Sequence, residues 1–261
     1  MTPIVVLSYA NAEYVAKLKA GKIKDAGGKD VSLYDKRVEE LRPVWQQILK
    51  ELEAKEAEAK TKMDAAKTRL DAAKKAEEAE KDMAKKAPLE TARKNDEEAF
   101  QAWEAESKSL SARVKKSSIE EQRKTWEAEE AYLTDAFRIT SNKQLCMQCH
   151  QLGAAPVTNQ IQGPPLYLSH QRLRPGWLER WIAAPQRFLT YGSSMPNNFP
   201  VEYDAKGNVV KKYQELIAGT PLEQVSAIRD MLMAYPRASA LPVNHYWALP
   251  LPGDAKTGDK K

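Results

Sequence analysis

Between Trp45 and Phe137, apolar residues recur at alternating steps of four and three. The first run passes through Trp45, Leu49, Leu52, Glu56, Ala59, Met63, Ala66, Leu70, Ala73, Glu77, Glu80, Ala84 and Ala87. That is the heptad spacing of a helix with one covered face, here rich in alanine and interrupted by glutamates. Its start is expected at Arg42-Pro43, where the missing proline N–H is harmless. Its end is expected at Pro88, because proline removes a helix hydrogen bond. A second run goes through Leu89, Ala92, Asp96, Ala99, Trp103, Leu110 and Val114, slips near Ser117-Ser118, and resumes through Ile119, Trp126, Leu133 and Phe137. A slip of this kind predicts a stutter or a local kink. Two runs of similar length joined at one proline predict a long antiparallel helical hairpin of coiled-coil type, with arms of roughly 65 Å at about 1.5 Å per residue. The pattern also allows a single long helix kinked at Pro88, or partial disorder. Alanine seams bury little apolar surface, so the hairpin alone should be marginal. Trp103 and Trp126 read as packing residues, or as partner contacts if the arm docks elsewhere.

After residue 137 the rhythm changes. Ser141-Asn142-Lys143-Gln144 matches a capping box and predicts a short helix from about Asn142. Arg172–Ile182 has helical periodicity with Trp177, Leu178, Trp181 and Ile182 on one side, and Pro185 stops it. Thr220 can cap a last helix with Pro221 in its first position. That helix runs through Leu222, Val225, Ile228, Met231 and Leu232 to Tyr235, before Pro236. Between them, Asp204–Asn208 reads as the turn of a small hairpin flanked by Val201/Tyr203 and Val209/Val210.

Composition sharpens this division. No glycine lies between Gly28 and Gly153, and Pro88 is the only proline from 44 to 152. That stretch is built of strong helix formers, whereas prolines and glycines crowd the C-terminal half. Charge divides as well: residues 138–261 carry 14 Lys+Arg against 8 Asp+Glu, and residues 1–137 carry 27 against 28. A basic C-terminal half can be steered to an acidic partner, or the charge can serve solubility alone. Nothing reads as a nucleic-acid motif, and lysines alternate with glutamates as on solvated helices. No segment approaches the run of about 18 apolar residues that a membrane span needs, and Ile4-Val5-Val6-Leu7 is too short for a signal-peptide core. The last residues, 251–261, read as a polar mobile tail.

The candidate chemistry is concentrated in Cys146-Met147-Gln148-Cys149-His150. C-x-x-C-H is the attachment signature of c-type haem. On a helical turn the two thiols project from one face and can add to the two vinyl groups of one porphyrin. His150 can then reach the iron as proximal ligand. A structural zinc site wants four N/S ligands, yet the chain has two cysteines, and its other histidines, His170 and His245, form no close pair. A thioredoxin-like dithiol belongs in a βαβ context that is missing here, and it would leave His150 idle. A structural disulfide is the remaining alternative.

The order C-x-x-C-H, the Gly163-Pro164 turn, the 172–182 helix, the loop Tyr191-Gly192-Ser193-Ser194-Met195-Pro196 and the last helix resembles the class I cytochrome c family. The resemblance covers about residues 140–236. It implies that Met195 is the distal axial ligand, and that the Pro164 carbonyl accepts the Nδ1–H of His150, which fixes the ring. His170 and His245 stay open as alternatives to Met195, and either would give bis-histidine ligation with a lower potential. Asn142 stands where the family has an aromatic, and residues 197–219 are an insertion before the last helix. Trp177, Trp181 and Tyr191 are expected at the pocket wall or in the core, and one of them, or Arg172 or Arg174, can hydrogen-bond a propionate.

The expected architecture is all-α. An N-terminal segment (1–35) precedes the hairpin arm (36–137), the cytochrome c-type haem domain (138–250) and the tail. The expected function is single-electron transfer through one covalent haem c, as a subunit of a respiratory or photosynthetic complex docked through residues 36–137. With both axial positions filled, a carrier is expected rather than an enzyme. The alternatives are a haem enzyme or gas sensor with a labile distal site, and a structural linker stabilised by its haem. Covalent attachment in bacteria takes place outside the cytoplasmic membrane, so a periplasmic or equivalent location is expected.

Overall fold

The structure, a computed structural model, describes residues 3–24, 27–153, 163–187 and 192–247. Tyr191 and the expected tail lie outside them. Among the described residues the chain is mostly helical, with one two-stranded sheet. It divides into two compact units: Met1–Val44 with Arg123–Lys261, and Trp45–Gln122. The boundaries expected after residues 35 and 137 therefore fall elsewhere, after 44 and 122.

In the first unit, α1 (Pro3–Ala20) turns into a short antiparallel pair, β1 (Lys22–Lys24) and β2 (Asp30–Ser32). Gly21 makes this corner: a Cβ there would stand 2.6 Å from Leu33 Cδ1. The next helix, α2 (Leu33–Ala79), starts ten residues before the expected Arg42-Pro43. The reason is a cap: Ser32 Oγ accepts from the Asp35 N–H at 3.0 Å and donates to its carboxylate at 2.6 Å. Pro43 is then carried inside the helix.

The core is built around α5 (Ala131–Thr140), in which Ala131 through Phe137 are all buried. It packs against α1, α8 (Pro221–Met233), α9 (Tyr235–Ala240) and α10 (Pro242–Trp247). The phase slip in the sequence is a break after α3 (Met83–Lys116) at Ser117-Ser118, followed by α4 (Ile119–Thr125) and a π-turn at Trp126–Glu130. Trp126 is fully buried and donates to Thr134 Oγ1 at 3.0 Å. The amide of Asn11, also buried, serves the widened backbone at both ends. Its Nδ2 donates to Glu127 O and its Oδ1 accepts from Tyr132 N, both at 2.9 Å.

A charged network crosses the same core. Arg37 Nε lies 2.8 Å from Asp135 Oδ1, with the two side chains 2% and 0% exposed. Tyr14 donates to Asp135 Oδ2 at 2.6 Å and accepts from Ala218 N at 3.0 Å. Arg37 Nη2 donates to the carbonyls of Glu215 and Leu216, each at 3.0 Å. This knits α1, α2, α5 and the loop before α8 together. Burial raises the Asp135 carboxyl, and Arg37 and Tyr14 oppose the rise. The last main helix begins as expected: Thr220 and Glu223 form a reciprocal capping box with Pro221 behind it. The 201–210 hairpin reduces to one bridge, Tyr203 with Val209, closed by Asp204 N to Asn208 O at 2.8 Å.

In the second unit, the residues of 51–80 that are not exposed are Leu52, Glu56, Ala59, Met63, Ala66, Leu70, Ala73, Glu77 and Glu80, the heptad positions of the pattern. Ala84 and Ala87 are exposed, because the helix has already ended. The break lies at 80–82, not at Pro88. Asp82 caps α3 by accepting from Ala84 N at 2.9 Å, and Pro88 sits in the second turn. The cap satisfies free N–H groups at the start of the helix, whereas the proline removes only one bond, to Ala84 O. Contacts between α2 and α3 run in opposite sequence order: Glu56 with Ser111, Lys62 over Trp103, Arg69 with Asp96, Glu77 with Arg93. The seam glutamates thus find polar partners.

Asp135→Ala should lower the unfolding free energy by ~3–5 kcal/mol, since it strands a buried guanidinium. Urea unfolding measures this, and a loss under ~1 kcal/mol would show that the pair does not hold the core. Burial pushes the Glu223 carboxyl up, but hydrogen bonds from Lys17 and Thr220 prevail and hold it at about 2 against the usual 4.5. Its stabilisation is complete above pH 4.5 and is lost as pH falls toward about 2. Glu223→Gln should therefore lower stability at neutral pH and flatten its acid decline. Parallel pH profiles of the two proteins would contradict this.

Candidate functional site

Helix α5 ends where the motif begins. Ser141 is its C-cap rather than the N-cap of a new helix: its N–H donates to Phe137 O at 2.8 Å and its hydroxyl to Arg138 O at 3.1 Å. Asn142 Oδ1 accepts from Gln144 N at 2.8 Å and turns the chain. The expected short helix is a single 3₁₀ turn, Cys146–Gln148. Both Cys149 N (3.3 Å) and His150 N (3.0 Å) donate to Cys146 O. One turn thus carries both cysteines and the histidine to one cavity, while Met147 is buried in the core.

The Gly-Pro turn lies alongside. Gly163 N donates to Cys149 O and Leu166 N to Gln151 O, each at 2.9 Å. A Cβ on Gly163 would stand 2.4 Å from His150 Cε1, so only glycine lets the backbone lie on the imidazole. His150 Nδ1 is 2.7 Å from Pro164 O. A carbonyl only accepts, so Nδ1 carries the proton, and the neutral form of the ring would offer the Nε2 lone pair to a ligand.

After the one-turn helix α6 (Ser169–Arg172), the third wall is α7 (Pro175–Ala183), which starts on Pro175. Leu178 and Ile182 are buried, and this helix packs on α8. Trp177 and Trp181 stack at 5.3 Å with planes 10° apart. The Met195 loop is clamped by Gln186. Its Nε2 donates to Ser193 O (3.0 Å) and Met195 O (3.3 Å), and its Oε1 accepts from Ser193 N at 3.1 Å. Trp181 Nε1 donates to Met195 Sδ at 3.1 Å.

These walls enclose a cavity of about 840 Å³ lined by Cys146, Cys149, His150, Pro164 and Met195, with Ile228 and Leu232 of α8 in its lining. That volume is within the usual range of small-molecule and cofactor sites. All five residues singled out by sequence meet there. Trp177, Trp181 and Arg172 also line it; His170, His245 and Arg174 do not. The His170 ring stacks instead on Tyr235, 6.4 Å away. Sequence reasoning overlooked Gln186 and the reach of the Trp181 indole. The only sequence trace of either was the Trp-x₃-Trp spacing ahead of the methionine loop.

Cys146 and Cys149 are not joined in a disulfide. Burial pushes the Cys146 thiol up to about 12, opposite to the depressed first thiol of a redox-active C-x-x-C. The donor set fits a c-type haem: two thiols for thioethers, an oriented imidazole, a thioether sulfur and apolar walls. No protein-family model matches the chain, and neither a curated protein nor a solved structure matches it significantly.

Proposed function

We propose that this chain is a monohaem c-type cytochrome of the class I kind, carrying single electrons as a subunit of a respiratory or photosynthetic complex outside the cytoplasmic membrane. The observation that carries the reading is the convergence of Cys146, Cys149, His150, Pro164 and Met195 on one cavity. When bound, haem c supplies a one-electron iron couple. Cys146 and Cys149 would tether it, His150 would ligate through Nε2, and Met195 would ligate through sulfur. The Pro164 carbonyl orients the imidazole and raises its basicity. A largely apolar lining would favour the less charged state of the iron. With His150 and Met195 both available as donors, no position on the iron would be left for a substrate, which supports a carrier.

Residues 45–122 are the second part of the proposal. The opposed contacts between α2 and α3 support an antiparallel coiled-coil hairpin, and we read it as the arm that docks to the partner complex. Its covered face mixes alanines and glutamates with a few larger residues such as Leu52, Met63, Leu70 and Leu110, so it buries little apolar surface and is read as gaining stability from outside itself.

Acidified-acetone extraction should leave the haem on the polypeptide, and complete extraction would end the covalent reading. Met195→Ala should abolish the sulfur–iron band of the ferric protein and lower the potential; an unchanged spectrum would move the ligand elsewhere. Gln122 Nε2 donates to Trp45 O at 3.1 Å, so residues 44 and 123 can be joined by a short glycine linker. The protein lacking 45–122 should hold low-spin haem and lose its complex. Continued co-purification with the complex would show that the arm is not the anchor.

A further inference from the structure

We infer that Trp181 is a positioning residue for the distal ligand, fixing the Met195 thioether through an indole N–H hydrogen bond to its sulfur. The inference rests on the haem reading above and adds a residue to it. Methionine has three rotatable side-chain bonds and by itself specifies little. Here both ends of the side chain are held. The backbone end is fixed by Gln186 and by the Ser193 hydroxyl, which accepts from Met195 N at 3.1 Å. The sulfur end is met by Trp181 Nε1 at 3.1 Å.

A thioether sulfur has two lone pairs. One accepts the indole proton, and the other is left to face the cavity. The indole is a donor only, so it cannot compete as a ligand. Donation to sulfur also draws off electron density, which weakens its support of the ferric charge more than of the ferrous and raises the potential. Trp177 holds the indole plane from the preceding turn, four residues back on the same helix and stacked at 5.3 Å. The sulfur therefore has a defined place before any ligation.

The test compares the haem-loaded wild type with Trp181→Phe and Trp177→Phe. Trp181→Phe keeps an aromatic wall and removes the donor; Trp177→Phe keeps the donor and an aromatic stack. Expected for Trp181→Phe are loss of the ferric sulfur–iron band, CO binding by the ferrous form at neutral pH and a lower potential. Trp177→Phe should keep the band and exclude CO. A Trp181→Phe protein with the full band and no CO binding overturns the assignment alone. A wild type without the band overturns the haem–Met195 reading as well. If Trp181→Phe fails to load haem, proton NMR of the ferrous wild type decides. A slowly exchanging indole N–H with a nuclear Overhauser contact to the Met195 methyl supports the inference, and absence of that contact overturns it.

Discussion

The buried pair Arg37–Asp135 is the constraint on which the first unit depends. Two charges removed from water cost several kcal/mol each, and they are tolerated only when closely paired and supported by hydrogen bonds. Here the guanidinium faces Asp135, Glu40 and the carbonyls of Glu215 and Leu216. The carboxylate faces Arg37 and the Tyr14 hydroxyl. These partners come from α1, α2, α5 and the loop before α8. None of these segments can leave without stranding a charge, which is why the first 44 residues belong with the C-terminal half.

The cavity inherits its shape from that core. Helix α5 ends where the cysteine turn begins, so its seating sets the position of Cys146, Cys149 and His150. Helix α8 packs on α5 and α7 and gives Ile228 and Leu232 to the cavity lining. The second tie between α5 and α8 is the Tyr132 hydroxyl, which donates to Asp230 at 2.8 Å. The site is therefore pre-shaped by helix packing, and local hydrogen bonds set its finer geometry: Nδ1 on Pro164, Gln186 on the methionine loop, Trp181 on sulfur. A donor set fixed by local hydrogen bonds on a packed helical frame would need little reorganisation on a change of charge, as the proposed electron transfer requires.

Much of this was legible in the chain. Heptad spacing marked the covered face of α2 from Leu52 to Glu77, because a helix repeats its faces at a fixed period. Thr220-Pro221 marked the start of α8, because caps are local chemistry. The five site residues were readable from C-x-x-C-H, from Gly-Pro and from the Met-Pro loop. Local signals misled where two of them competed. Ser141 looked like an N-cap, but α5 had not yet ended, and the same hydroxyl serves the end of that helix instead. Pro88 looked like a break, but Asp82 offered a better cap six residues earlier. Ser32 with Asp35 opened α2 well ahead of Pro43.

By itself, then, the sequence determined helical class, the periodic face of α2, the cap at Thr220 and the Cys146–His150 turn, since each depends on residues within a few positions of one another. Only the tertiary structure decided which segments form one unit. It also decided that His170 stacks on Tyr235 instead of lining the cavity, that Asn11 serves the π-turn, and that Trp181 reaches Met195. Those facts depend on contacts between residues from 14 to 204 positions apart. Such contacts are fixed by packing and by the need to satisfy buried polar groups, and no local pattern encodes them.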